Sequence, residues 1–300
     1  MKYLGGYTAG SLQGDRDMKR WMAGVLCALL ACTVWASGGP GEVRKQAEAS
    51  MLVTGWIEVM PDGSVHNYTI DHPEKIPVAI SDLIQRNVPK WQFKLEDHED
   101  VIRRARMNIR IIAKRVDDQH DSIAISGASF GEGDAKPTDS ITYKDRTSPH
   151  YPSDAVNARV GGTVFLYARI GRDGRVQNIA VEQVNLGVYG SEAQMRHYRK
   201  VLGDAALNSI KNWTFNIPTT GKQMMDPYWD GVIPVTFEVN DVSAPKKDTY
   251  GRWEAYVPGP RESIPWMKSS HLASSPDTIP EGGFSQVDQP VQLKTALDGA

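Results

Sequence analysis

Cysteine is nearly absent. The 300 residues hold two, Cys27 and Cys32, both inside one apolar run near the N-terminus. Past Cys32 there is none, so the rest of the chain can build neither a disulfide framework nor a thiolate metal site. Excess charge of one sign is missing as well. With 34 basic and 36 acidic residues the formal net charge is −2, which argues against a nucleic-acid binder held by bulk electrostatics. Long apolar runs are scarce, and the most apolar one, residues 21–35, is shorter than the ~20 residues a membrane-spanning helix needs. What remains is an ordinary globular composition, 40% apolar and 23% charged, enough to pack a core.

The apolar run carries the signs of a leader. Met18-Lys19-Arg20 supplies a start and a positive region, and Val34-Trp35-Ala36 leaves small residues at the −3 and −1 places of a cleavage site. Residues 1–36 therefore read as a signal peptide whose true start is Met18, which implies export. Two other readings of the run stay open. Tryptophans at both ends suit a retained, tilted anchor, and Leu29-Leu30-Ala31-Cys32 resembles a lipobox, with a lipid on Cys32.

Two structured blocks follow. The first covers residues 51–126. Met51–Val59 and Val65–Ile70 read as strands around a Pro61-Asp62-Gly63 turn. Ile76, Ile80, Leu83 and Ile84 fall on one helical face that Pro89 ends. Residues 107–112 and 122–126 are further strands. Residues 127–147, rich in Gly, Ser, Asp and Pro, read as a linker.

The second block, residues 148–239, contains YARIGRDGRVQNIAV at 167–181, a hairpin with Asp173-Gly174 at its turn. Val164, Leu166, Ala168 and Ile170 share one strand face. Val176 and Ile179 fall on opposite parities, which a bulge would reconcile. Leu202, Ala206 and Ile210 mark a helical face, and residues 232–239 close the block as a last strand. The blocks share one order: Asp-Gly-x-Val, then a helix, then Trp-x-Phe (Trp91 and Phe93, Trp213 and Phe215), then a strand, as a duplication would produce. The aromatic pairs read as anchors of helix on sheet. Residues 240–300, Pro- and Ser-rich without periodicity, read as a disordered tail.

Tyr151-Pro152, Gly162, Asp173-Gly174, Trp213-x-Phe215 and the final Val232-Ile233-Pro234-Val235-Thr236-Phe237, in that order, resemble the C-terminal domain of the TonB family over nearly its whole length. The first block resembles a divergent second copy. The resemblance implies an α+β fold: two domains, each a small antiparallel sheet with helices on one face. It also implies the periplasm of a Gram-negative-type envelope. The partner would be an outer-membrane TonB-dependent transporter, or another envelope protein, held through an extended segment added to a sheet edge, with inner-membrane motor proteins as a further partner for energy transduction. The edge strand would be Val232, Ile233, Pro234, Val235, Thr236, Phe237 and Val239, since backbone groups on a rim bind a strand without a pocket and Pro234 suits an edge. No cofactor, metal or catalytic residue is implied.

Two features depart from that pattern. Residues 21–35 carry no His, Asp or Glu to engage a motor, and the fourteen residues after Ala36, at ~3.1 Å each in an extended Pro-rich chain, reach only ~40 Å. A self-associating scaffold or lipoprotein, a homodimer through paired edges, is the alternative. A remoter one is an exported hydrolase, because Gly127-Ala128-Ser129-Phe130-Gly131 matches a nucleophile elbow at Ser129, although GEGDAKPTD after it cannot be the required helix. His98 among the carboxylates of residues 95–100 reads as an acidic loop rather than a metal site. Arg106, Asn108, Arg110 and Lys114 share a strand parity and read as a solvated basic face.

Overall fold

The computed structural model describes residues 39–95, 100–117, 120–132, 137–239, 248–272, 275–280 and 282–297. The leader, Cys32 and His98 lie outside them. The fold is mixed α+β with antiparallel sheets and few helices.

A short helix, α1 (Pro40–Lys45), precedes β1 (Glu48–Val59), which pairs along its whole length with β4 (Arg103–Arg115) and at one end with β2 (Val65–Ile70). Helix α2 (Val78–Asn87) and β3 (Phe93–Leu95) lie between β2 and β4 in sequence, and β5 (Asp121–Glu132) pairs with β4 on its far side. Alternation in β1 and β4 sends Val53, Ile57, Met107 and Ile109 to one face, where Ile80 and Ile84 of α2 meet them in a closed core. Helix α2 stops at Asn87, ahead of Pro89, as the proline requires.

The other half repeats this arrangement. Helix α3 (Ser153–Asn157) leads to the hairpin β7 (Gly162–Gly171) and β8 (Val176–Leu186), then helix α4 (Glu192–Ile210), β9 (Thr214–Asn216) and β10 (Tyr228–Phe237), which returns to pair with β7. A capping box of Ser191 and Gln194 starts α4. Val164, Leu166, Ala168 and Ile170 pack together against Leu202, Ala206 and Ile210 of that helix. The register of β7 on β8 skips Gln177, so a bulge lets both Val176 and Ile179 reach the core.

At the turns the likeness becomes atomic. Gly63 and Gly174 take φ of +85° and +71°, while the preceding aspartates do not, as in a three-residue loop that ends on a left-handed glycine. The Asp62 and Asp173 carboxylates accept from the backbone N–H of Ser64 and Arg175, at 2.8 and 3.1 Å. The N–H of Phe93 donates to the Gly63 carbonyl and that of Phe215 to the Gly174 carbonyl, each at 2.8 Å. A Cβ on either glycine would collide with the carbonyl oxygen of the same phenylalanine. Turn and Trp-x-Phe therefore recur together because they touch. Trp91, Phe93, Trp213 and Phe215 are all buried, and each pair packs on a third ring, Phe130 or Tyr143.

Three expectations need correction. The linker is not a linker at its start: Gly127–Glu132 continue β5 along β4, because small residues leave the backbone free to pair. Further on, β6 (Thr142–Asp145) pairs with β9. The first block begins before residue 51, with α1 and the start of β1. The C-terminal tail is not disordered where it is described. It forms β11 (Glu254–Tyr256), the short helix α5 (Ser269–Leu272), β12 (Ser285–Gln286) and β13 (Val291–Leu293), and it buries Val257, Ile264, Ile279 and Val291.

Candidate binding site on the sheet rims

Strand β10 is an edge strand with an occupant. Its inner side pairs with β7 over ten residues; among the described residues its outer side carries only the strand β12, with Gly231 opposite Gln286 and Val232 opposite Ser285. Glycine permits this, because the Phe284 ring fills the space that a Cβ on Gly231 would take. From Ile233 to Phe237, no strand among the described residues pairs with the outer side. The expected open rim over Val232–Phe237 is therefore closed at Val232 by the chain itself. Val239 lies beyond the end of the strand.

The side chains of β10 are not on offer. Ile233, Val235 and Phe237 are in the core under α4; Val232 is buried on the opposite face; Pro234 is buried and has no N–H; the Thr236 and Thr163 hydroxyls are 3.1 Å apart. Tyr151 packs on Phe237 and donates to the Val160 carbonyl at 2.9 Å, with α3 starting just after Pro152. Gly162 has the Asn185 carbonyl where a Cβ would stand. These positions hold the strand in place, so what it can present is backbone.

The tail uses other rims in the same way. Strand β11 pairs with β1 from Glu48 to Ser50. Val257 and Leu186 of β8 exchange both backbone hydrogen bonds, at 2.8 and 3.1 Å, and Glu262 N–H donates to the Glu182 carbonyl at 2.8 Å. Strand β13 pairs with β3. Between these points the tail covers the outer face of the β7–β10 sheet, where Ile264 and Ile279 close over Phe165, Tyr167 and Val232.

Two buried carboxylates stand under that cover. Glu182, whose side chain is 0% exposed, occupies the position that β7 skips between Phe165 and Leu166. It accepts from Arg261 Nε at 2.8 Å and lies 2.9 Å from His271 Nε2, and both partners belong to the tail. Asp230 takes a two-pronged contact from Arg169, at 2.7 and 2.8 Å. The hydrogen bond to Asp230 holds the Arg169 guanidinium above its ordinary pKa, and burial raises that of Tyr167. Arg169 also stacks over Tyr228 at 3.7 Å. A carboxylate without water needs such partners, so the tail is coupled to the sheet by charge as well as by apolar contact.

Of the basic stripe only Lys114 is exposed; Arg106, Asn108 and Arg110 are wholly or partly buried. Arg106 pairs with Asp71; Arg110 donates to the Asp277 carbonyl and, at 3.1 Å, to Ser50 Oγ; Asn108 donates to Ser129 Oγ at 3.1 Å. Tail residues around Thr278 cover this part. The Asp71 carboxyl, though partly buried, is held below its ordinary pKa by Arg106 and Thr54. Ser129 lies within β5, opposite Asn108 of β4, and its hydroxyl donates to the Thr278 carbonyl at 3.2 Å. The strand–turn–helix of a nucleophile elbow is not what surrounds it. Among the described residues no group of three His, Cys, Asp or Glu side chains could hold a metal ion, and no helix is long and apolar enough to cross a membrane.

Sequence reasoning missed Glu182, Asp230, Arg261 and His271. Two acids at strand positions were the available signal, since a carboxylate in the middle of an apolar strand demands a cation. A scan against models of known protein families and a search of curated proteins both found no match.

Proposed function

We propose that this chain is a TonB-like cell-envelope protein that binds an extended segment of an outer-membrane or periplasmic partner by strand addition, without catalysis. Its two halves are read as tandem TonB C-terminal-like domains, and a link to energy transduction for transport belongs to the same reading. One observation carries the mode of binding: the chain's own tail adds short strands to β1, β10 and β3. Backbone groups on those rims are thus satisfied by extended peptide without a dedicated pocket. The tail strand on β10 acts as the resident occupant, and a partner segment takes its place or extends along Ile233–Phe237.

The test is a titration of the full chain with synthetic peptides from the extended N-terminal segments of TonB-dependent transporters. Phe284→Ala, which removes the ring over Gly231, should tighten binding several-fold, and Thr236→Pro, which removes a donor from the outer rim, should abolish it while the circular dichroism spectrum is kept. Peptides that bind neither the parent chain nor the Phe284→Ala variant would refute the proposal. Crosslinking in intact cells would then name the partner.

A further inference from the structure

Strand β5 is the outermost strand of its sheet, and among the described residues no backbone pairing occupies its outer side. That side faces a groove of about 730 Å³, within the range of dedicated ligand sites. Five consecutive residues, Ser126–Phe130, form one wall, and the tail from Ser285 to Leu297 supplies the other, with Gln286, Gln289 and Gln292 along it.

We infer that this groove is a second strand-addition site, which takes an extended, uncharged peptide segment of a partner protein between β5 and the glutamine-lined wall. The inference rests on the rim-binding mode proposed above but places it where no tail residue has to leave. A free rim repeats its donors and acceptors every second residue, and only another extended backbone matches that period. At ~3.3 Å per residue the five rim residues span about 16 Å, room for a segment of similar length. Thr278 and Ser275 already stand over Gly127, and Thr278 over Ser129, so a second backbone approaches along the rim and not over the sheet face. Among the described residues the lining contains no carboxylate, and of its two basic side chains His271 is held against Glu182, which leaves Lys294 alone to meet charge, so a strongly charged ligand finds little complement.

A random twelve-residue peptide library displayed on phage, panned against the full chain, supplies the probe. Selected peptides, made synthetically, should slow hydrogen exchange of the amides of residues 125–130 by tenfold or more. Gln292→Trp, which fills the groove from the far wall, should weaken them at least tenfold, and Thr236→Pro, on the β10 rim and outside the groove lining, should leave their affinity unchanged. Should Gln292→Trp fail to fold, Gln289→Trp on the same wall serves, and unchanged affinity in a folded variant overturns the site. Protection confined to residues 231–237 removes the β5 groove and leaves the β10 proposal standing. Selection of no peptide by either the parent or Phe284→Ala removes both.

Discussion

At the scale of single residues, two positions have effects that can be stated in advance. Gly174 combines a left-handed φ with contact against the Phe215 carbonyl. Gly174→Ala should therefore lose roughly 1–3 kcal/mol, the cost of a strained backbone position, and Gly63→Ala should behave alike for the same reason. Urea unfolding of the two variants checks this. Glu182 is the second position. With both Arg261 and His271 in the tail, Arg261→Ala leaves a buried acid short of a partner and should cost about 3–5 kcal/mol. Limited proteolysis should then cut between residues 258 and 272 faster than in the parent, and equal cleavage rates would contradict the coupling. Both glycines could be picked out from sequence, because Asp-Gly names a turn. The acid stood out only as a carboxylate within a strand; its partner, some eighty residues away, could not be picked out, because no local pattern points to it.

At the scale of elements, legibility followed periodicity. Residues 164, 166, 168 and 170 announced a strand face and pack as one; Leu202, Ala206 and Ile210 announced a helix face and are buried. The tail announced nothing. Its strands are two or three residues long, too short for alternation to show, and their stability comes from rims that lie far away in sequence. Proline and serine, common in disordered segments, suit a chain that runs over a surface and pairs only in places. The same shortness yields a prediction. Since β12 depends on Phe284 packed over Gly231, Phe284→Ala should raise hydrogen exchange at Val232, while the central strand β7 stays protected. Stretches of small residues misled in the other direction: Gly127–Gly131 suggested a connection, yet they serve as an outer strand because nothing on them hinders pairing with β4.

At the scale of the whole molecule, the tail contacts both halves. It pairs with β1 and β3 on one side, and with β8 and β10 on the other. A chain ending at residue 247 would expose Phe165, Tyr167 and Val232 on an uncovered sheet face, and exposed apolar area of that kind drives association. Such a chain should bind a hydrophobic dye and sediment as oligomers, whereas the full chain should bind little dye. A mixed α+β plan with antiparallel sheets and few helices could be read from the sequence; the cover over the sheets could not, since it consists of scattered contacts from residues that are polar on average.

Each of the tail's attachments involves only two or three residues, but all are tethered to the surfaces they touch. A tethered segment acts as if present at millimolar local concentration, so a free competitor of modest affinity loses to it. Brief lifting of one attachment, with the rest still in place, would open a single docking position for a moment. A visitor would thus gain entry stepwise, and binding would be slow for weak ligands and selective for those long enough to hold several positions at once.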